Sequence, residues 1–252
     1  MERERVKEYT HRYFLAPGEC TPEGEMPVTL LFTRIIEVAT EHADMWGVGY
    51  STLIHDNQSW VLSRVTIEMN QYPVVNKKYS LTTWIESYNR HFSQRNFEIA
   101  DDEGNVLGYA RTIWVVINSI TRESVDISKF SYMNEVVSTH PCPIEPQSRL
   151  RPVTEGRTTD YAFKYCDLDI NRHVNSVRYV ELLMNQLPLS DYESHFVKRF
   201  EIAYIKECRY AENIIIHICD VEHDVKMEIT DGSGSSHCRA RILLSPRENS
   251  RE

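Results

Sequence analysis

Between Val28 and Gly49 the chain reads VTLLFTRIIEVATEHADMWGVG, and Leu31, Ile35, Ala39, His42 and Trp46 recur at spacings of three and four. That period puts them on one face of a helix, with Gly47 and Gly49 as its stop. The pattern then changes to alternation. Val65, Ile67 and Met69 interleave with Arg64, Thr66 and Glu68, and Tyr79, Leu81, Thr83 and Ile85 follow the same rule. Alternation of this kind marks half-buried strands. Strands are expected over WVLSRVTIEMN, KYSLTTWIESYN, HFSQRNFEIAD and LGYARTIWVVIN, with DDEGN (101–105) as a hairpin turn.

A second round follows STHPCPIEPQSRLRP, whose four prolines predict a linker at 138–152. Next come an extended segment, DYAFKYCDLDI, and a helix over about 174–187 with Val174, Val177, Met184 and Leu187 as its apolar stripe. Strands are expected again over FVKRFEIAYIKE, NIIIHICDV, VKMEITD and SHCRARILLS, with DGSGS as the last turn. Strand, helix and four strands, stated twice, is an internal duplication. SRVTIEMNQYPVVNKKYSL lies over KRFEIAYIKECRYAENIII without a gap, setting Arg64 opposite Arg199 and Ile67 opposite Ile202. A long helix wrapped by an antiparallel sheet is the hotdog arrangement. The expected class is therefore α+β, a tandem (double) hotdog fold. Its first domain would span 1–137 and its second 153–252, either side of the 138–152 linker.

Composition narrows the function classes. A chain of 252 residues with 41% hydrophobic content can bury two proper cores. The net charge of −9 and the lack of any basic run argue against nucleic-acid binding. No apolar run approaches the roughly 20 residues of a membrane helix, and MERERVKEYT has no secretory core. A cytoplasmic protein without membrane insertion is expected, and a homodimer is compatible with the pattern. The six cysteines form no C-x-x-C pair, so free, mostly buried thiols are expected. DGSGSS lacks the lysine and helix of a phosphate loop. HPC and HIC lack further ligands for a metal, and there is no G-x-S-x-G elbow. Neither metal nor cofactor is indicated.

The chemistry-bearing stretch is DLDINRHVNSVRYVE (167–181), with Asp169, Asn171 and His173 at every second position. An extended segment would direct all three to one side, just before a helix start whose free N–H groups favour negative charge. Such a site suits a catalytic carboxylate or an oxyanion. The plainer reading is that Asn171 or Asn175 caps the helix while Asp169 and His173 face water, and on spacing alone it has the stronger claim. Further on, IKECRY sets Glu207 beside Cys208 at the end of the strand FEIAYI. That pair is either the mouth of a pocket or an exposed glutamate next to a buried thiol.

Taken together, DLDINRHVNSVRYVE and the later YIKECR resemble the acyl-acyl carrier protein (acyl-ACP) thioesterases of plants and bacteria, which have D-x-N-x-H running into a helix and a Glu-Cys pair beyond it. WVLSRVTIEMNQYPVVNKKYSLTTW and TIWVVINSITRES are similar to that family's first half, so the resemblance covers about residues 4–245. The chain departs from the family pattern at Leu182, where Trp is usual, and at Glu181, where a small residue is usual. The resemblance implies hydrolysis of long-chain acyl-ACP to free fatty acid, with an acyl-coenzyme A thioesterase of the same fold, or a non-catalytic hotdog protein that binds acyl groups or lipid, as the alternatives. It implies a catalytic set of Asp169, Asn171, His173 and Glu207, with Cys208 alongside. Two schemes stay open: a Cys208 nucleophile activated by His173, or, as favoured here, a carboxylate mechanism led by Asp169. In the first half Cys20 can be laid over Cys166, so that Glu23, Glu25 and Pro27 replace Asp169, Asn171 and His173. That half would supply the acyl tunnel, through Leu31, Ile35, Trp60, Arg64, Trp84 and Trp114. The acidic carrier protein would dock on a basic cluster of Arg172, Arg178, Lys198, Arg199, Lys206 and Arg209.

Overall fold

The change from three-and-four spacing to alternation falls where helix gives way to sheet. The structure is a computed structural model that describes residues 6–130 and 133–247. The start of MERERVKEYT and positions 248–252 of the expected second domain lie outside the described residues. The chain divides into two units between Pro146 and Gln147.

The first unit contains β1 (Glu8–Phe14), α1 (Val28–Met45), the short α2 (Tyr50–Leu53), β2 (Gln58–Met69), β3 (Lys78–Tyr88), β4 (Ser93–Asp101), β5 (Val106–Asn118) and α3 (Met133–Val136). Its strands run antiparallel in the order β1-β3-β4-β5-β2. α1 turns Leu31, Phe32 and Ile35, all fully buried, toward the sheet. Each contributes about 1.5–3 kcal/mol by leaving water. Gly47 ends the helix at φ 73°, a left-handed position that a side chain would strain.

The second unit repeats the path with β6 (Arg157–Ala162), α4 (Ser176–Met184), α5 (Leu189–Ser194), β7 (His195–Tyr204), β8 (Asn213–Val221), β9 (Asp224–Asp231) and β10 (Ser236–Pro246). Its order is β6-β8-β9-β10-β7, the counterpart of the first, and each unit is a hotdog. The second helix is shorter than expected. Asn175 caps it, its side chain accepting the Val177 N–H at 3.0 Å. Near its end, Pro188 has no N–H to continue the ladder. The buried stripe is Tyr179, Val180 and Leu183, with Val177 and Met184 only half-buried. β7 also stops early, at Tyr204, because the N–H groups of Ile205 and Lys206 both turn to the His237 carbonyl.

The proline-rich stretch has no regular structure, yet it is tied down on each unit. Arg111 donates to the carbonyls of Cys142 (2.6 Å) and Ile144 (2.8 Å), and His140 stacks on Trp84 at 4.1 Å. Beyond it, Gln147 donates to the Ile202 carbonyl at 2.8 Å, and Glu228 accepts the Val153 N–H at 2.8 Å.

Candidate functional site

The segment from Leu168 to Val174 is not extended; it closes as a tight turn. Leu168 and Val174 form a bridge, Asp169 N–H donates to the His173 carbonyl at 2.8 Å, and Arg172 N–H returns to the Asp169 carbonyl at 3.0 Å. Arg172 takes the left-handed conformation (φ 62°) that such closure requires. One carboxylate oxygen of Asp169 accepts two backbone N–H groups, from Asn171 (2.8 Å) and His173 (3.1 Å). That fixes the carboxylate and leaves its second oxygen unused by those bonds. Asn171 is exposed at the tip. The helix begins two residues after Val174, not directly after His173, so Asn175 is the cap and Asn171 is not.

The turn is joined to the Glu-Cys loop by backbone. His173 bridges Arg209, and Val174 N–H donates to the Cys208 carbonyl at 2.9 Å. This places His173 Nε2 3.4 Å from a Glu207 carboxylate oxygen, with side chains 20% and 36% exposed, so that a substrate or water can reach both. Glu207 and Cys208 therefore sit on a loop beyond β7, not on the strand itself. Cys208 is fully buried, and burial pushes its thiol up to about 12 against an opposing hydrogen bond from Tyr179.

The histidine beside Cys208 is His237, a residue to which the sequence assigned no role. Its Nδ1 lies 2.9 Å from Cys208 Sγ, while its Nε2 lies 3.4 Å from Glu212 and 3.6 Å from Asp231. Serine donors in the 231–235 turn hold Asp231 well below the usual carboxylate range. Ligand atoms of Cys208, Glu212 and His237 all fall within 4.8 Å of one another. The thiol and the carboxylate nevertheless approach opposite ring nitrogens, which does not suit one shared ion; the thiol meets Nδ1 in a hydrogen bond, and Nε2 has none among the described residues. His237 escapes pattern reading because it is the extra residue of a β10 bulge, between Ser236 and Cys238.

The first unit makes the same turn: Thr21 N–H donates to the Glu25 carbonyl (2.8 Å), Gly24 N–H to the Thr21 carbonyl (2.9 Å) and Met26 N–H to the Pro73 carbonyl (2.9 Å). Matching these bonds to those above sets Thr21 against Asp169, Glu23 against Asn171 and Glu25 against His173. The cysteine-based register is thus corrected, and the first unit still lacks the set.

The positions expected to line an acyl tunnel are dispersed. Leu31 and Ile35 are core residues of α1, whereas Trp60 packs on a separate cluster with Ala43, Trp46 and Val48, donating to the Val48 carbonyl at 2.9 Å. Trp114 is half-buried and donates to Thr112 at 2.8 Å. Arg64 is exposed. Trp84 is buried with Cys142 and Ile144, away from the α1-side residues Tyr79, Leu81 and Thr83 that alternate with it. The basic cluster also divides. Arg178 pairs with Glu181, Arg199 with Glu201 and the exposed Lys206 with Asp231; Lys198 is half-buried, and Arg172 and Arg209 are exposed, near exposed Ile170, Ile205 and Tyr210 in sequence.

Two family models match the chain, the acyl-ACP thioesterase N-terminal domain over residues 6–134 and the acyl-ACP thioesterase C-terminal domain over 150–245. A palmitoyl-acyl carrier protein thioesterase of Gossypium hirsutum is 25% identical over 94% of this chain and 60% of its own length. Oleoyl-acyl carrier protein thioesterase 2 of Arabidopsis thaliana is 25% identical over 90% of this chain and 67% of its own. The chain spans 60% or less of the length of the first curated relatives it matches. Among solved structures, an acyl-ACP thioesterase from Bacteroides thetaiotaomicron superposes with a TM-score of 0.89 at 33% identity, covering 96% of this chain and all of its own. The 12:0-ACP thioesterase of Umbellularia californica reaches 0.84 at 21% identity, covering 96% and 98%.

Proposed function

The chain belongs to the acyl-ACP thioesterase family, and from that premise we propose that it hydrolyses the thioester of long-chain acyl-ACP. Water adds to the carbonyl carbon, the C–S bond breaks, and the departing sulfur takes a proton, giving a free fatty acid and carrier thiol. The observation that carries this reading is the approach of His173 to Glu207 across the 168–174 turn, beside a carboxylate clamped by two backbone donors. Asp169 acts as the principal base or nucleophile through its second oxygen. Glu207 and His173 hold the water and pass the proton to sulfur, and the Asn171 amide stabilises the oxyanion. Cys208 is not the nucleophile, since its thiol is buried, kept protonated and bonded to His237 rather than His173.

Arg172, Lys206 and Arg209, with Ile170, Ile205 and Tyr210 between them, form the docking rim for the acidic carrier. The first unit takes the acyl chain. Each methylene it buries contributes about 0.8 kcal/mol, and a single methylene discriminates by only about 1–3 kcal/mol, so a mixed product profile is expected. The same reading places the reaction in the cytoplasm, at the end of fatty acid synthesis. Among the described residues, no helix is long and apolar enough to cross a membrane.

Hydrolysis of acyl-ACPs of graded length, with acyl-coenzyme A controls, tests the proposal. A clear preference for the carrier-bound substrates, weakened by added salt, is the expected result. Equal turnover of the coenzyme A esters would reassign the substrate, and no hydrolysis of either would remove the activity.

A further inference from the structure

The two units share a backbone around the Glu-Cys loop but differ in a concerted set of side chains. In the second unit the His237 carbonyl accepts the N–H groups of Ile205 (2.8 Å) and Lys206 (3.1 Å). In the first, the Leu107 carbonyl accepts those of Asn70 (2.8 Å) and Gln71 (3.3 Å). Leu107 and His237 are also the residues passed over by the register at a bulge in β5 and in β10. Pro73 matches Cys208, because their carbonyls accept the equivalent N–H groups of Met26 and Val174. Counting on equally from Met26 and Val174 brings Leu31 against Tyr179. Three apolar residues in the first unit, Leu31, Pro73 and Leu107, thus stand where the second has Tyr179, Cys208 and His237.

The polar trio is connected. Cys208 N–H donates to the Tyr179 hydroxyl at 2.9 Å, a need that Pro73 lacks because it has no N–H. Cys208 Sγ meets His237 Nδ1. On the other side of the ring, His237 Nε2 faces the carboxylates of Glu212 at 3.4 Å and Asp231 at 3.6 Å without a hydrogen bond to either. Both carboxylates are held in turn, Glu212 by the Arg209 N–H at 2.9 Å and Asp231 by the N–H groups of Ser233 (2.9 Å) and Ser235 (3.0 Å).

Leu107 demonstrates that this bulge and its two backbone hydrogen bonds form without a histidine. The imidazole is not what builds the loop. A fully buried polar side chain in place of leucine costs stability unless its polar atoms are hydrogen-bonded, and His237 Nε2 has no such bond among the described residues, so the residue is kept for something other than stability. We propose that Tyr179, Cys208 and His237 are positioning residues, a buried brace facing Glu212 and Asp231 that holds the 205–208 loop so that Glu207 meets His173. The proposal rests on the reading of Glu207 as part of the reacting set. Misplacing a reacting group by an ångström is enough to slow a reaction severely.

His237→Leu copies the first unit and separates the possibilities. The brace predicts an unchanged or raised thermal midpoint, a kcat about tenfold lower or worse, and a KM within about twofold, on an acyl-ACP substrate. His237→Asn, which restores an acceptor for the thiol proton, should recover part of that kcat. Wild-type kcat in His237→Leu overturns the brace. So does a lowered midpoint with equal loss of kcat in both variants, which is the mark of a merely structural residue. Glu207→Gln is the control on the premise. If it keeps full kcat, the reading of the site and the brace fall together; if it is inactive while His237→Leu is fully active, only the brace falls.

Discussion

The turn before α1 and the turn before α4 follow one backbone path, and their closing residues differ in a telling way. Gly24 closes the first at φ 76°, at little steric cost, whereas Arg172 closes the second at φ 62°. A residue with a side chain pays about 1–2 kcal/mol to sit there. The first unit lacks the Asp-Asn-His set at this place and uses the relaxed residue. The second keeps a strained arginine on the proposed docking rim, beside a clamped carboxylate and an exposed amide. At this turn the local strain falls on the unit proposed to carry the site, as it does at functional sites in general.

The sharpest test of that contrast is to remove the same kind of group from each turn. Asp169→Asn should lower kcat about a thousandfold, within the range for a general base. Glu23→Gln, at the position matching Asn171, should leave kcat within about twofold. Cys208→Ala should stay within about tenfold of wild type; a larger loss than Asp169→Asn would return the nucleophile to the thiol.

A second test concerns the first unit's own buried polar group. His42 is fully buried on α1, with Arg95 donating to its Nδ1 at 3.0 Å and its Nε2 2.8 Å from the Val6 carbonyl. Burial, aided by the Arg95 charge, holds it down to about 3. Its unfolded form takes up a proton near pH 6.5, so the native state binds fewer protons between about 3 and 6.5. Stability is then full above 6.5 and falls as the solution is acidified, by about 2 kcal/mol at pH 5. Thermal unfolding against pH should follow that slope, and His42→Gln should flatten it. A slope unchanged in the variant would assign the acid sensitivity elsewhere.

The smallest effect belongs to the closing residues themselves. Arg172→Gly should raise stability by up to about 1 kcal/mol while raising KM for acyl-ACP several-fold at low salt. A variant with unchanged KM would take Arg172 off the docking rim.

The sheets were legible because enough of the alternation survives: Val65, Ile67 and Met69 do face the core, although Thr66 between them is buried as well. The helix face of α1 was legible for the same reason. The site was harder to read. Every-second-residue spacing suits a strand and a tight turn equally, and only the left-handed Arg172 distinguishes them. Cys20 and Cys166 invited a wrong register, since a shared cysteine says less than a shared turn. His237 was hidden because a bulge adds one residue and turns two neighbours, His237 and Cys238, inward together. The brace needs residues from a helix, a loop and a bulged strand, and no sequence period links those three.

The stretch with four prolines has a consequence for how the molecule stays dispersed. Four of its positions carry no N–H, so it cannot be enlisted as a further strand. On the first unit it lies instead across Trp84 and Tyr109, with His140, Cys142 and Ile144 as its inner side. Removing that inner side would bare a sticky patch, the sort of exposure that turns a dilute protein into a precipitate.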